Sequence, residues 1–176
     1  MEIPFVVQTW ARYSHTANRN LEYCLGAVAH RWEEPCGSYF GTLRALLDHV
    51  VSADCRWLRR LADQGWGPAA WATKAVALPV PSPQTPTFAT WQEYVDLRCR
   101  IDALWMELTE ALDQTALDLP FTYTNIQNEE LTVPRAGMLF HLFNHQTHHR
   151  GAVSLILDSW GVANDFSGLA KSFRVG

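Results

Sequence analysis

At 176 residues with 48% hydrophobic content, the chain can bury a sizeable core and is expected to fold as a single domain over residues 1–176. A formal net charge of −4, from 14 basic and 18 acidic residues, gives no electrostatic footprint for nucleic acid and no polybasic run for a membrane surface. The opening MEIPFVVQTWARYSH carries no export pattern, and no apolar run is long enough to span a bilayer. Cys24, Cys36, Cys55 and Cys99 form no CxxC pair, so they read as free thiols of a cytoplasmic protein.

In chain order, the first helical stripe is Trp10, Tyr13, Ala17, Leu21, Cys24 and Val28. The second helix is expected from Thr42 to Asp63, with Leu43, Leu46, Leu47, Val50, Trp57, Leu58 and Leu61 along one side and Gly65 and Gly67 ending it. Residues 64 to 86 hold five prolines (Pro68, Pro79, Pro81, Pro83 and Pro86) and cannot form one helix. They read as a long crossover ordered against the rest. The third helix opens at Thr90, whose partner Glu93 fits a capping box, and continues through Leu112. FTYTN (121–125) and ELTV (130–133) alternate as a small hairpin around Gln127-Asn128. The fourth helix begins near Val133-Pro134 and runs to Trp160, where Gly161 stops it. The pattern is all-α: a four-helix bundle with one long connection.

HLFNHQTHHRGAV, at 141–153, holds four of the chain's seven histidines. The stripe Met138, Leu142, His145, His149, Ala152, Ile156 has the spacing of an inward seam, and places the two imidazoles one above the other. Such a pair can grip one cation, and it can also be a hydrogen-bonded core pair; the spacing leaves both open. His49, at the edge of the second helix's stripe, is the natural third ligand. His15 and His30 flank a helix rich in polar residues. His141 is in line with His145 on one helix and so cannot help surround an ion. His148 and Arg150 are expected to meet a neighbouring helix or line the approach, with Arg150 facing solvent. Cys55 lies about 240° round the helix from His49 and reads as structural. HExxH, G-x-S-x-G and a Gly-rich phosphate loop are absent.

WARYSHTANRNLEYCL, GSYFGTLRALLDHVVSADCRWLRRL and FTYTNIQNEELTVPRAGMLFHLFNHQTHHRG together resemble the DinB/YfiT-like family of small metalloproteins. Asp54 and Trp57 are in register, and N-H-x-x-H-H-R-G is the most specific motif. The family is unrelated to the DNA polymerase of the same label. The resemblance implies an up-up-down-down bundle, a homodimer, and a nickel or zinc ion on His49, His145 and His149. It also implies a thiol-dependent transferase or isomerase chemistry using a low-molecular-weight thiol cosubstrate, on a small-molecule substrate that the residues do not name. Ala152 stands where the family often has glutamine. The competing expectation is a non-catalytic stress-related or binding protein whose metal stabilises the fold.

Overall fold

A computed structural model describes residues 2–125 and 127–173. Four long helices dominate: α1 (Ile3–Gly26), α2 (Leu43–Asp63), α4 (Trp91–Ala111) and α6 (Arg135–Ser159). Both α1 and α2 pack against α4 and α6, so the apolar stripes of all four meet in one cluster that includes Leu25, Leu46, Leu58, Ile101, Trp105, Leu108 and Phe143. No helix among the described residues is long and apolar enough to cross a membrane. All four cysteines are free.

The helix starts follow local chemistry. Thr42 Oγ1 accepts from the Ala45 N–H at 3.2 Å, and Thr90 Oγ1 does the same for Glu93 at 3.2 Å. Glu93 returns its carboxylate to the Ala89 N–H at 2.7 Å, one residue earlier than the usual capping-box partner. At the fourth long helix the expectation shifts by one or two residues. Val133 and Pro134 complete the second strand, and the helix begins at Arg135.

The crossover is not merely extended. It contains a short helix, α3 (Ala69–Val76), which the prolines on either side bracket without interrupting. Trp71 of α3 is 2% exposed and donates its indole N–H to the Leu104 carbonyl at 2.9 Å. Gly67 makes this possible, because a Cβ there would lie 2.4 Å from the Trp71 ring. Trp66 and Trp71 are thus buried within the chain. The end of the crossover is tied to α2, where Asp48 Oδ1 accepts from the Thr87 N–H at 2.6 Å and Ser52 meets Thr87 at 2.6 Å.

After α4, Asp113 caps a one-turn helix, α5 (Gln114–Asp118), absent from the sequence-based reading because it is too short to show a period. Strands β1 (Pro120–Thr124) and β2 (Glu130–Pro134) then pair antiparallel, Phe121 opposite Val133 and Tyr123 opposite Leu131. Asn128 adopts a φ of 62°, as a tight hairpin requires of one residue in its turn. Phe121 meets Trp66 edge-on at 5.0 Å, which seals the hairpin over the end of α2. Beyond Gly161 (φ 73°) the chain turns back along α6 and α1. The Tyr13 hydroxyl donates to the Phe166 carbonyl at 2.5 Å and pins this returning segment.

Candidate metal centre

His49 on α2 meets His145 and His149 on α6 across the α2–α6 contact. The three ligand-type nitrogens lie within 4.8 Å of one another. His145 Nε2 is 3.3 Å from His49 Nε2 and 3.1 Å from His149 Nε2. One imidazole nitrogen has a single in-plane position, filled by a proton or a lone pair, so these two contacts can both be hydrogen bonds only by sharing it, which weakens each. A tetrahedral ion holding imidazoles at about 2.0–2.1 Å sets neighbouring nitrogens about 3.3 Å apart. The two spacings at His145 lie close to that distance, so the three nitrogens are near enough to share one cation. Among the described residues the group has these three members.

The remaining histidines stay outside it. His141 and His148 are exposed, although the His148 ring lies 4.9 Å from that of His149. His15 is half-exposed, its Nδ1 3.9 Å from Asp102 Oδ2, and His30 sits in an exposed 3-10 turn. Cys55 is fully buried, and burial, reinforced by Asp54, pushes its thiol up to about 12. That is a structural cysteine, as its helical phase implied.

Phe40 was not anticipated. Its ring lies 4.8 Å from His49 and 5.6 Å from His149, covering one side of the group. The loop that carries it is closed by a bridge between Pro35 and Thr42 and turned by Gly37 (φ 67°) and Gly41 (φ 79°). No periodic signal marks such a loop; the flanking glycines were the available hint.

The helical phase of α6 also needs correcting. His145 is half-buried and His149 is 8% exposed, whereas Gln146 and Arg150 are 1% and 4% exposed. The centre of the seam therefore runs through Gln146 and Arg150, with the histidines on its α2 flank. Arg150 does not face solvent. It belongs to a closed ring of six buried polar side chains drawn from all four long helices. Arg98 Nη1 donates to Asp54 Oδ2 at 2.5 Å, and Arg98 Nη2 lies 2.6 Å from Asp102 Oδ1. Asn18 Nδ2 donates to Asp102 at 2.9 Å, while its Oδ1 accepts from Arg150 at 3.2 Å. Arg150 also reaches Gln146 Oε1 at 3.5 Å, and Gln146 Nε2 returns to Asp54 Oδ1 at 2.9 Å.

Electrostatics follow from that burial. Dehydration alone would lower Arg98, but Asp102 and Asp54 outweigh it and hold the guanidinium above its usual range. Asp102 is raised by burial against the pull of Arg98. Arg150 is lowered by burial, because its partners are amides and a hydroxyl. All three grouped histidines are lowered, burial first in each case. For His149 the further repulsion of His145 and His49 brings the value to about 4. At neutral pH their lone pairs are free.

With this geometry in view, comparison with known families gives one result. A model described as the DinB family matches residues 8–166. The chain belongs to the DinB family. No curated protein and no solved structure matches it. Ala152, where the resemblance implies a glutamine, is half-buried against the core, and His149 Nδ1 is buried without a hydrogen-bond partner.

Two outcomes are expected. Asp54→Ala leaves Arg98 with one carboxylate instead of two and removes the acceptor of Trp105 and Gln146; it should cost about 3 kcal/mol of stability, read from urea unfolding at pH 7. The lowered histidine values mean that the unfolded chain takes up protons first. Metal-free protein should therefore hold its stability above about pH 6.5 and lose it as pH falls towards about 4. His149→Gln should flatten that loss, measured by chemical denaturation in EDTA across the same range.

Proposed function

We propose that this DinB-family protein is a metal-dependent enzyme holding one divalent ion, nickel or zinc, on His49, His145 and His149. It uses a small thiol or water against an electrophilic substrate, as a thiol-dependent transferase or a hydrolase. The observation that carries this reading is the grouping of three histidine nitrogens within 4.8 Å of one another, with His145 Nε2 3.3 and 3.1 Å from those of His49 and His149. An ion with a further coordination position lowers the pKa of a thiol or water placed there. Among the described residues the group has three members and not four, which favours such a position, since structural sites take four protein ligands.

The chain's own contribution is orientation and shielding. Gln146, one residue after His145, is fixed by Asp54 and so holds the phase of α6 against α2. Phe40 shuts water from one side of the imidazoles. That same cover favours a second reading, a non-catalytic stress-related or binding protein whose metal stabilises the fold. We further read the chain as one domain, an up-up-down-down four-helix bundle in the cytoplasm. We also read it as a homodimer, for which the exposed Tyr23 (85%) and Leu155 (71%) on α1 and α6 offer apolar contact.

Purification without a nickel resin should yield about one divalent ion per chain by elemental analysis. His49→Ala, His145→Ala and His149→Ala should each lose it, and His15→Ala and His30→Ala should keep it. Cobalt-loaded protein titrated with glutathione, bacillithiol or mycothiol should develop a sulfur-to-metal charge-transfer band. No response to thiol together with fast water exchange favours hydrolysis, and a closed coordination sphere favours the structural reading. Light scattering over a concentration series should give twice the 20.0 kDa chain mass; a steady single-chain mass would refute the dimer.

A further inference from the structure

The far flank of α6 carries a second, separate feature. A cleft of about 490 Å³ opens between α1, α6 and the returning C-terminal segment. Its volume falls within the roughly 300–1,000 Å³ typical of small-molecule sites. Trp10, Tyr13 and Phe166 supply aromatic walls, and Thr147, Arg150 and Gly151 supply the α6 side. At about 100° per residue, Thr147, Gly151 and Ser154 lie roughly 120–180° round the helix from His145 and His149. The cleft is therefore not an annex of the histidine group.

Arg150 gives the cleft its chemistry. The side chain is 4% exposed, and its two amino groups point to different neighbourhoods. Nη1 turns inward to Asn18 and Gln146. Nη2 donates at 2.9 Å to Thr147 Oγ1, a residue of the cleft wall. Nε is buried without a partner. The guanidinium also lies 5.1 Å over the Tyr13 ring, another wall of the cleft. Among the described residues no carboxylate pairs with Arg150, in contrast to Arg98, which has two. A dehydrated guanidinium met only by neutral groups is short of an anion, and its planar fork suits a carboxylate, sulfonate or phosphate. The rim carboxylate, Asp165, does not reach Arg150: its Oδ1 accepts from the N–H (2.8 Å) and hydroxyl (2.6 Å) of Ser167, a neighbour on the same rim.

We propose that this cleft is a second binding site, which takes a small organic anion with a flat apolar body. The anionic end meets Arg150 beside Thr147, and the apolar body lies among Trp10, Tyr13 and Phe166. The inference does not draw on metal binding at the histidines and stands if that reading fails.

The test uses 2-naphthoate and its neutral isostere 2-naphthamide as probes. Both are titrated by calorimetry into the full chain, once stripped with EDTA and once loaded with zinc. Naphthoate should bind in both states and about tenfold or more tighter than the amide, the margin of a charge-assisted hydrogen bond. A Cβ added at Gly151 meets nothing within 4 Å, so Gly151→Leu should fold normally by circular dichroism, project into the cleft and abolish binding of both probes. Arg150→Gln should erase the preference for the acid while keeping amide binding. If that variant does not fold, the comparison of acid with amide and the Gly151→Leu variant decide the matter. Equal affinity for acid and amide, binding unaltered by Gly151→Leu, binding only in the zinc-loaded state, or no binding at millimolar concentration would each overturn the proposal.

Discussion

Burying a carboxylate in a helical core costs several kcal/mol unless donors meet its oxygens, and Asp54 meets that condition by drawing Arg98 and Trp105 of α4 and Gln146 of α6 onto α2. Those demands fix relative positions that apolar contacts leave loose. Leucine against leucine tolerates a rotation of some tens of degrees, whereas a donor must point at its acceptor. Because the ring closes through Asp102, Asn18 and Arg150, rotation of any one long helix breaks at least one bond in it. The rotational setting of α2 and α6, which decides whether His49 can meet His145 and His149, is set by this polar belt.

The parts legible in the sequence were those with a period or a local cap. The stripes of α1, α2, α4 and α6, the threonine caps at Thr42 and Thr90, and the hairpin around Asn128 all announce themselves within a few residues. The three histidines came from spacing on α6 and from an edge position on α2, and they lie together in space. The exact face of α6 did not follow. With polar residues distributed all round that helix, a stripe through the histidines and one through Gln146 and Arg150 look alike on paper. Burial settles it only when partners from other helices are known. Arg150 looked like a solvent-facing arginine because the partners that cover it from another helix, Asn18 and Tyr13, lie well over a hundred residues away. Arg98 and Asp102 did leave a trace: they follow Tyr94 at steps of four, charges placed where a core stripe belongs.

Phe40 and α3 illustrate a different limit. Each is held by tertiary contact and not by propensity. Trp71 is anchored by a carbonyl of α4, and Phe40 by the imidazoles it covers. Proline-rich and glycine-turned segments record where regular structure stops, and say little about where the chain goes next.

The hydrogen bond from Tyr13 to Phe166 joins positions 153 apart in sequence. Closing so long a loop is entropically costly, though the cost grows only with the logarithm of its length, and such long-range pairings form late because local contacts must first repay part of it. The cleft beside Arg150 takes one wall from α1 and another from this returning segment. Neither wall exists as a surface without the other. The histidine group, by contrast, takes its three members from α2 and α6. A change that frees the returning segment therefore removes one wall of the cleft and leaves the packing of α2 against α6 in place.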